Sequence, residues 1–171
     1  MSFLELARER YSVRSYAAKA VEEEKIAAIL KAAQISPTAK NGQPQKIYVI
    51  KSPEALQKIR SICNYTFNAP LVFMICKDNT LSWKSPYVEG YDSGEMDATI
   101  ACTHMMLAAK DLGLGSVWVM LFDPVKAKEI FNLPPHIQPV CLLPAGYPAG
   151  DAKPSSFHQK YRSLEEMVTE L

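Results

Sequence analysis

Close cysteine pairs are missing from this chain. Cys63, Cys76, Cys102 and Cys141 are its only thiols, and no two are near neighbours in sequence. Zinc ribbons, iron–sulfur clusters and thioredoxin-type redox centres need Cys-x-x-Cys or an equivalent, so none is expected. His104, His136 and His158 show no ligand spacing either, and no metal site is predicted. No apolar run approaches the ~20 residues that span a bilayer. Residues 1–10 carry a charge every few positions and no signal-peptide core. The expectation is a cytoplasmic protein with reduced thiols and no membrane partner. An excess of one charge is absent as well: 19 Lys+Arg stand against 18 Asp+Glu, a net +1. Nucleic-acid binders carry a basic stripe and a raised pI, so that class is excluded. There is no Gly-x-Ser-x-Gly, no Walker loop, and no Gly-x-Gly-x-x-Gly after a strand pattern. With no nucleophile, acid/base pair or metal in view, no catalytic side chain is assigned. Hard chemistry would have to come from a bound cofactor.

What is present suits one ordinary domain. The 171 residues are 48% hydrophobic and 22% charged, long enough to bury about two thirds of the unfolded surface without a staple. Helical spacing is read over 3–10, 22–33 and 97–112, the last ended by Gly113. Ser52-Pro53 and Asp123-Pro124 each read as an N-cap followed by proline at the first helical position, opening helices to about Ile62 and Phe131. Buried-strand patterns cover 46–51, 71–76, 116–120 and 138–143. Residues 78–94 are polar and turn-rich. Residues 148–163 read as an arm, and Ser163 with Glu166 has capping-box spacing for a last helix. Strands alternating with helices would normally suggest a parallel α/β sheet.

Two polar segments carry the candidate chemistry. Arg10-Tyr-Ser12-Val-Arg14 places two guanidiniums and a hydroxyl within five residues. Arginine forks match phosphate oxygens bidentately, although the same pattern also fits a solvated basic turn. Lys160-Tyr-Arg162 is a second basic cluster, and spacing alone does not bring it to the first. Ser36 to Pro44 is long for a helix-to-strand connection, and its Thr, Asn and Gln suit hydrogen bonding to a planar heterocycle.

Taken in order, these segments resemble the FMN-dependent nitroreductase family. Arg10–Arg14, Ser36–Pro44, Leu107–Trp118 with Phe122-Asp123, Gly146-Tyr-Pro148 and Lys160–Glu166 follow one another as they do there. The resemblance implies an α+β fold, a mixed β-sheet flanked by helices, built as an intertwined homodimer with FMN at the interface. It implies a single domain over residues 1–171 whose 148–171 arm packs on the partner subunit. Arg10, Tyr11, Ser12 and Arg14 would hold the FMN phosphate and ribityl chain, completed by Lys160 and Arg162. Pro37, Thr38, Ala39 and Asn41, from the other subunit, would line the isoalloxazine ring. Met120, Leu121 and Asn68 would also contact the flavin, and Lys40 would project over its face as a substrate-binding residue. Leu121 stands where many members have glycine, which narrows that edge. Because the chain is short between the second strand and the long helix, Lys84 to Gly94 is expected to be a lid or pocket wall that sets substrate choice. The implied activity is ping-pong hydride transfer from NADH or NADPH to a small electron-poor acceptor, a nitroaromatic or quinone. The alternatives are an FMN storage or regulatory module, or a dehalogenase or flavin-degrading member of the same family.

Overall fold

The computed structural model describes residues 1–171. Six helices occur: α1 (Phe3–Glu9), α2 (Glu23–Gln34), α3 (Pro53–Ile62), α4 (Gly94–Asp111), α5 (Pro124–Ile130) and α6 (Leu164–Met167). The strands are β1 (Gln45–Ile50), β2 (Leu71–Asp78), β3 (Gly115–Ser116) and β4 (Ile137–Gly146). Local chemistry sets most helix starts. Ser2 and Glu5 form a reciprocal capping box on α1. The Ser52 and Asp123 side chains accept N–H bonds from α3 and α5, each with proline in the first turn. Gly113, at φ 76°, lies just past α4, and the Leu114 N–H reaches back to the Ala109 carbonyl at 2.8 Å. At its other end α4 begins at Gly94, three residues before the reading from spacing, because Ser93 and Asp97 bond across an extra turn.

The strands run in the order β1-β2-β4-β3, and every named pair is antiparallel. The parallel sheet suggested by helix–strand alternation does not form. The β1–β2 and β3–β4 connections leave and re-enter at the same end of the sheet, Ile50 lying opposite Val72 and Val119 opposite Leu142. The β2–β3 connection instead crosses to the other end, and β4 inserts between those two strands. The parallel component is a single bridge, Ser12 to Ser116. Fold class is α+β.

Burial follows the pleat. Leu71, Phe73 and Ile75 of β2 join Ile29, Ala101, Met105 and Leu143 on one face. Val72, Met74 and Cys76 join Leu56, Ile59, Ala127 and Leu142 on the other. Helices therefore cover both faces, and β2 reads in sequence as an unbroken apolar run. All four cysteines are free and buried. A hydrogen bond with the Cys141 thiol, together with burial, raises the Cys102 pKa well above its ordinary value, which keeps that thiol inert. No helix is long and apolar enough to cross a membrane.

A polar clamp holds α2 to the far end of β4. The Tyr147 hydroxyl donates to Glu22 Oε2 at 2.7 Å, while Lys25 Nζ donates to the Tyr147 oxygen at 2.9 Å and to the Leu112 carbonyl at 2.7 Å. The Tyr147 hydrogen bond, the Glu22 backbone and Lys19 hold the Glu22 carboxyl down to about 2. A depressed carboxylate contributes stability above its ordinary range and loses it as pH falls through the folded value. Glu22→Gln should therefore lower the melting temperature at neutral pH. That difference from wild type should shrink below pH 4.5 and vanish near pH 2; a gap unchanged across that window would show that Glu22 charge is not what the clamp uses.

The sheet has two chemically different ends. One collects Arg10–Arg14, Phe67-Asn68, the start of β2 and β3. The other collects residues 37–43, the start of α4 and residues 79–93. Eight residues of β2 separate them, roughly 25 Å at the strand rise.

Candidate functional site

Residues Arg10–Arg14 are fixed as an extra edge beside β3. The Val13 N–H donates to the Ser116 carbonyl at 3.0 Å, and the Tyr16 hydroxyl lies 2.9 Å from the Val13 carbonyl and 3.1 Å from that of Pro144. Burial pushes the Tyr16 pKa up, so this pin stays protonated. Val13 is buried, which turns its neighbours Ser12 and Arg14 outward. The close approach needs glycine at 115: a Cβ there would lie 2.4 Å from Val13 Cγ2. Gly115→Ala should displace Val13, cost about 1–3 kcal/mol by overpacking, and disturb whatever Ser12 and Arg14 hold. Calorimetry and ligand titration of this variant check both effects.

Three cavities open along this edge, and Arg14 belongs to two of them. One, of about 320 Å³, is lined by Arg10, Tyr11, Ser12, Arg14, Ser155, Phe157 and His158. It has two guanidiniums and no carboxylate. The other, of about 310 Å³, is lined by Tyr65, Phe67, Trp118, Met120 and Leu121 among others, with Arg14 at its border. Met120 and Leu121 are 71% and 68% exposed, an apolar lip with nothing of this chain over it. A cationic pocket joined through one arginine to an aromatic and aliphatic pocket suits an elongated molecule, anionic at one end and planar and apolar at the other. FMN fits that description.

The arm reaches the cationic pocket through tethers invisible in sequence. Ser15 Oγ donates to Asp151 at 2.8 Å, the Ala149 N–H donates to the Ser15 carbonyl at 3.0 Å, and His158 meets the Tyr11 ring edge-on at 6.0 Å. Within one chain the arm thus delivers Ser155, Phe157 and His158 rather than Lys160 and Arg162. Lys160 Nζ sits 5.2 Å from the Phe157 ring centre, and Arg162 turns to Glu166, its Nη2 donating to the Glu166 carbonyl at 2.9 Å. Asn68 is exposed beside Phe67 and does not line either cavity. His158 carries no sequence signal beyond being an unassigned histidine, and Phe67 and Tyr65 none beyond being aromatic.

Pro37, Thr38, Ala39, Lys40 and Asn41 lie at the opposite end of the sheet from Arg14. Their turn is unusual. Six non-glycine residues have positive φ, and five of them fall in two predicted flavin segments: Lys40, Asn41, Gln43, Phe67 and Asn68, all between 49° and 54°. Non-glycine left-handed residues persist where surrounding structure over-determines them, and they cluster at functional sites. Thr38 Oγ1 accepts the Gln43 N–H at 3.1 Å, and Asp97 Oδ1 accepts that of Ala39 at 2.9 Å. One chain therefore carries its two candidate segments at opposite ends of the sheet. Lys84, Ser85 and residues 89–92 line a separate polar cavity of about 560 Å³ with Lys77, Asn79 and Gln138.

Comparison with known proteins points to one family. The Nitroreductase family model matches residues 7–68 and 62–147. A Methanothermobacter thermautotrophicus protein named as an NADH dehydrogenase/NAD(P)H nitroreductase is 34% identical over 156 residues, covering 87% of this chain and 78% of its own. An FMN reductase [NAD(P)H] of Bacillus subtilis is 28% identical over 155 residues, covering 81% of this chain and 62% of that one. The crystal structure of a nitroreductase family protein from Clostridium difficile 630 superposes with a TM-score of 0.92 at 38% identity, covering 99% and 98% of the two chains.

Proposed function

The chain belongs to the nitroreductase family, and from that premise we propose that it is an NAD(P)H-dependent FMN oxidoreductase working as a homodimer. The observation that carries this reading is the paired cavity bridged by Arg14. Bound FMN supplies hydride acceptance and release between NAD(P)H and an electron-poor acceptor, the two using one face in turn.

The chain's own residues bind, orient and exclude water. Arg10, Arg14 and Ser12 hold the phosphate, with charge-assisted bonds roughly twice as strong as neutral ones. Tyr11 contributes main chain there. Met120, Leu121 and Phe67 cover the ring with apolar surface, while Asn68, which lines neither cavity, is left without a contact there. Pro37, Thr38, Ala39 and Asn41 come to the ring from the partner subunit, because no path within one chain spans the sheet. Lys160 and Arg162 reach the phosphate when the 148–171 arm is laid across the dimer. That arm leaves Phe157, Tyr161, Leu164, Met167 and Leu171 exposed, an apolar surface suited to a subunit contact. Lys40 is exposed and pairs with no carboxylate, so its ammonium is free to meet the acceptor. No side chain acts as acid, base or nucleophile; positioning within about 3–3.5 Å is the protein's share of the rate.

Purified protein should be yellow, or take up added FMN, and should bleach anaerobically on adding NADH or NADPH. Colourless protein that refuses FMN sinks the reading. Yellow protein that does not bleach indicates an FMN-binding module instead.

A further inference from the structure

Asp97 is a buried carboxylate, 3% exposed, that the proposed function leaves without a task. Its two oxygens serve two different segments. Oδ1 accepts the Ala39 N–H at 2.9 Å, and Oδ2 accepts the Ser93 hydroxyl at 2.6 Å. Ala39 enters the turn in which Lys40, Asn41 and Gln43 are all left-handed. Ser93 closes residues 83–93: its Oγ accepts the Trp83 N–H at 3.2 Å, its N–H donates to the Trp83 carbonyl at 2.9 Å, and Lys84 bridges to Asp92. The chain leading into 83–93 also touches the turn, since a Cβ on Gly42 would stand 2.9 Å from the Leu81 carbonyl oxygen.

Burying a carboxylate is costly unless it is hydrogen-bonded, and a small apolar residue would fill this volume without that cost. What the charge adds is two charge-assisted bonds at the first turn of α4, where the helix dipole favours an anion. These bonds oppose the strain of the left-handed turn. They also set that turn and residues 83–93 in one frame. The base of 83–93 is anchored separately, Lys77 Nζ lying 3.5 Å from Asp92 and 3.6 Å from Glu95. Its tip presents Tyr87, 93% exposed, and Tyr91, 49% exposed, aromatic faces suited to a planar aromatic molecule.

We propose that Asp97 is the positioning residue of the ring-binding loop 38–43, and that through Ser93 it fixes residues 83–93 beside that loop as the wall against which a planar aromatic acceptor is held. The proposal rests on the FMN reading above. Hydrogen exchange on the full-length protein, with FMN titration of the same preparations, tests it. Asp97→Ala should speed exchange in 38–43 and 83–93 together and weaken FMN binding about tenfold or more, as for one lost charge-assisted bond. Asp97→Asn keeps an acceptor for the Ala39 N–H and should recover most of that affinity. Ser93→Ala should speed exchange in 83–93 alone and raise KM for 4-nitrobenzoate while FMN affinity stays unchanged. If Asp97→Ala does not fold, the Asp97→Asn and Ser93→Ala pair decides. Uniformly faster exchange across the sheet, unchanged FMN affinity in Asp97→Ala, or a Ser93→Ala variant identical to wild type overturns the proposal. Wild-type protein that binds no FMN overturns the function reading instead, and the exchange pattern still decides what Asp97 positions.

Discussion

Arg14→Ala is expected to strip the protein of flavin while leaving it folded. Arg14 is exposed and makes one hydrogen bond within the chain, from Nη1 to the Ser12 carbonyl at 3.2 Å, so its removal costs little stability. It borders both cavities, and its loss removes a cation from the phosphate end and a wall from the ring end. A lost charge-assisted contact is worth roughly 1.5–3 kcal/mol, which corresponds to about 10- to 150-fold in Kd. Arg14→Lys should fall between, keeping the charge but not the planar fork. Raising salt should weaken wild type more than Arg14→Ala, because one exposed cation fewer remains to be screened. Arg162→Ala makes a useful companion: it should match Arg14→Ala in direction if the arm closes over the phosphate in the dimer. Flavin content read from the visible absorbance of the purified protein checks both. Unchanged content in Arg14→Ala would mean that the phosphate sits elsewhere.

Local signals in the sequence were enough for the elements and not for their assembly. Ser52-Pro53, Asp123-Pro124 and Gly113 announce helix ends because capping is chemistry within four residues, and each lies where it was expected. The start of α4 was missed because it depends on a serine and an aspartate bonding around Gly94, a turn with no apolar periodicity. The parallel sheet was a wrong expectation for a different reason. Alternation of helices and strands says nothing about which end of the sheet a connection returns to. The site shows the same division. Arg10, Ser12 and Arg14 were legible as a motif, and the structure gathers them in one cavity. His158 and Asp97 were not legible, since each acts through a contact with a residue more than fifty positions away.

That geometry makes a sharper demand than homology does. Arg14 and residues 37–41 lie at opposite ends of β2, roughly 25 Å apart at the strand rise, and a flavin cannot touch both in one chain. Two variants should therefore fail alone and succeed together. Arg14→Ala breaks the phosphate half-site, and Ala39→Trp places bulk where the ring would lie. Each homodimer carries two broken sites. In a mixed dimer, one site joins the two broken halves and the other joins the two intact halves, because a two-fold interface pairs unlike surfaces reciprocally. Coexpression of the two chains with different affinity tags, followed by sequential purification, isolates that species. It should hold one FMN per dimer and about half the wild-type reductase activity, against near zero for either parent. A random mixture of the two chains should recover about one quarter of wild-type flavin, since half of its dimers are mixed and each has one good site. If a single chain built the whole site, both arrangements of the mixed dimer would stay empty. Recovery in the mixed dimer thus turns on the direction in which the two ends of one antiparallel sheet face.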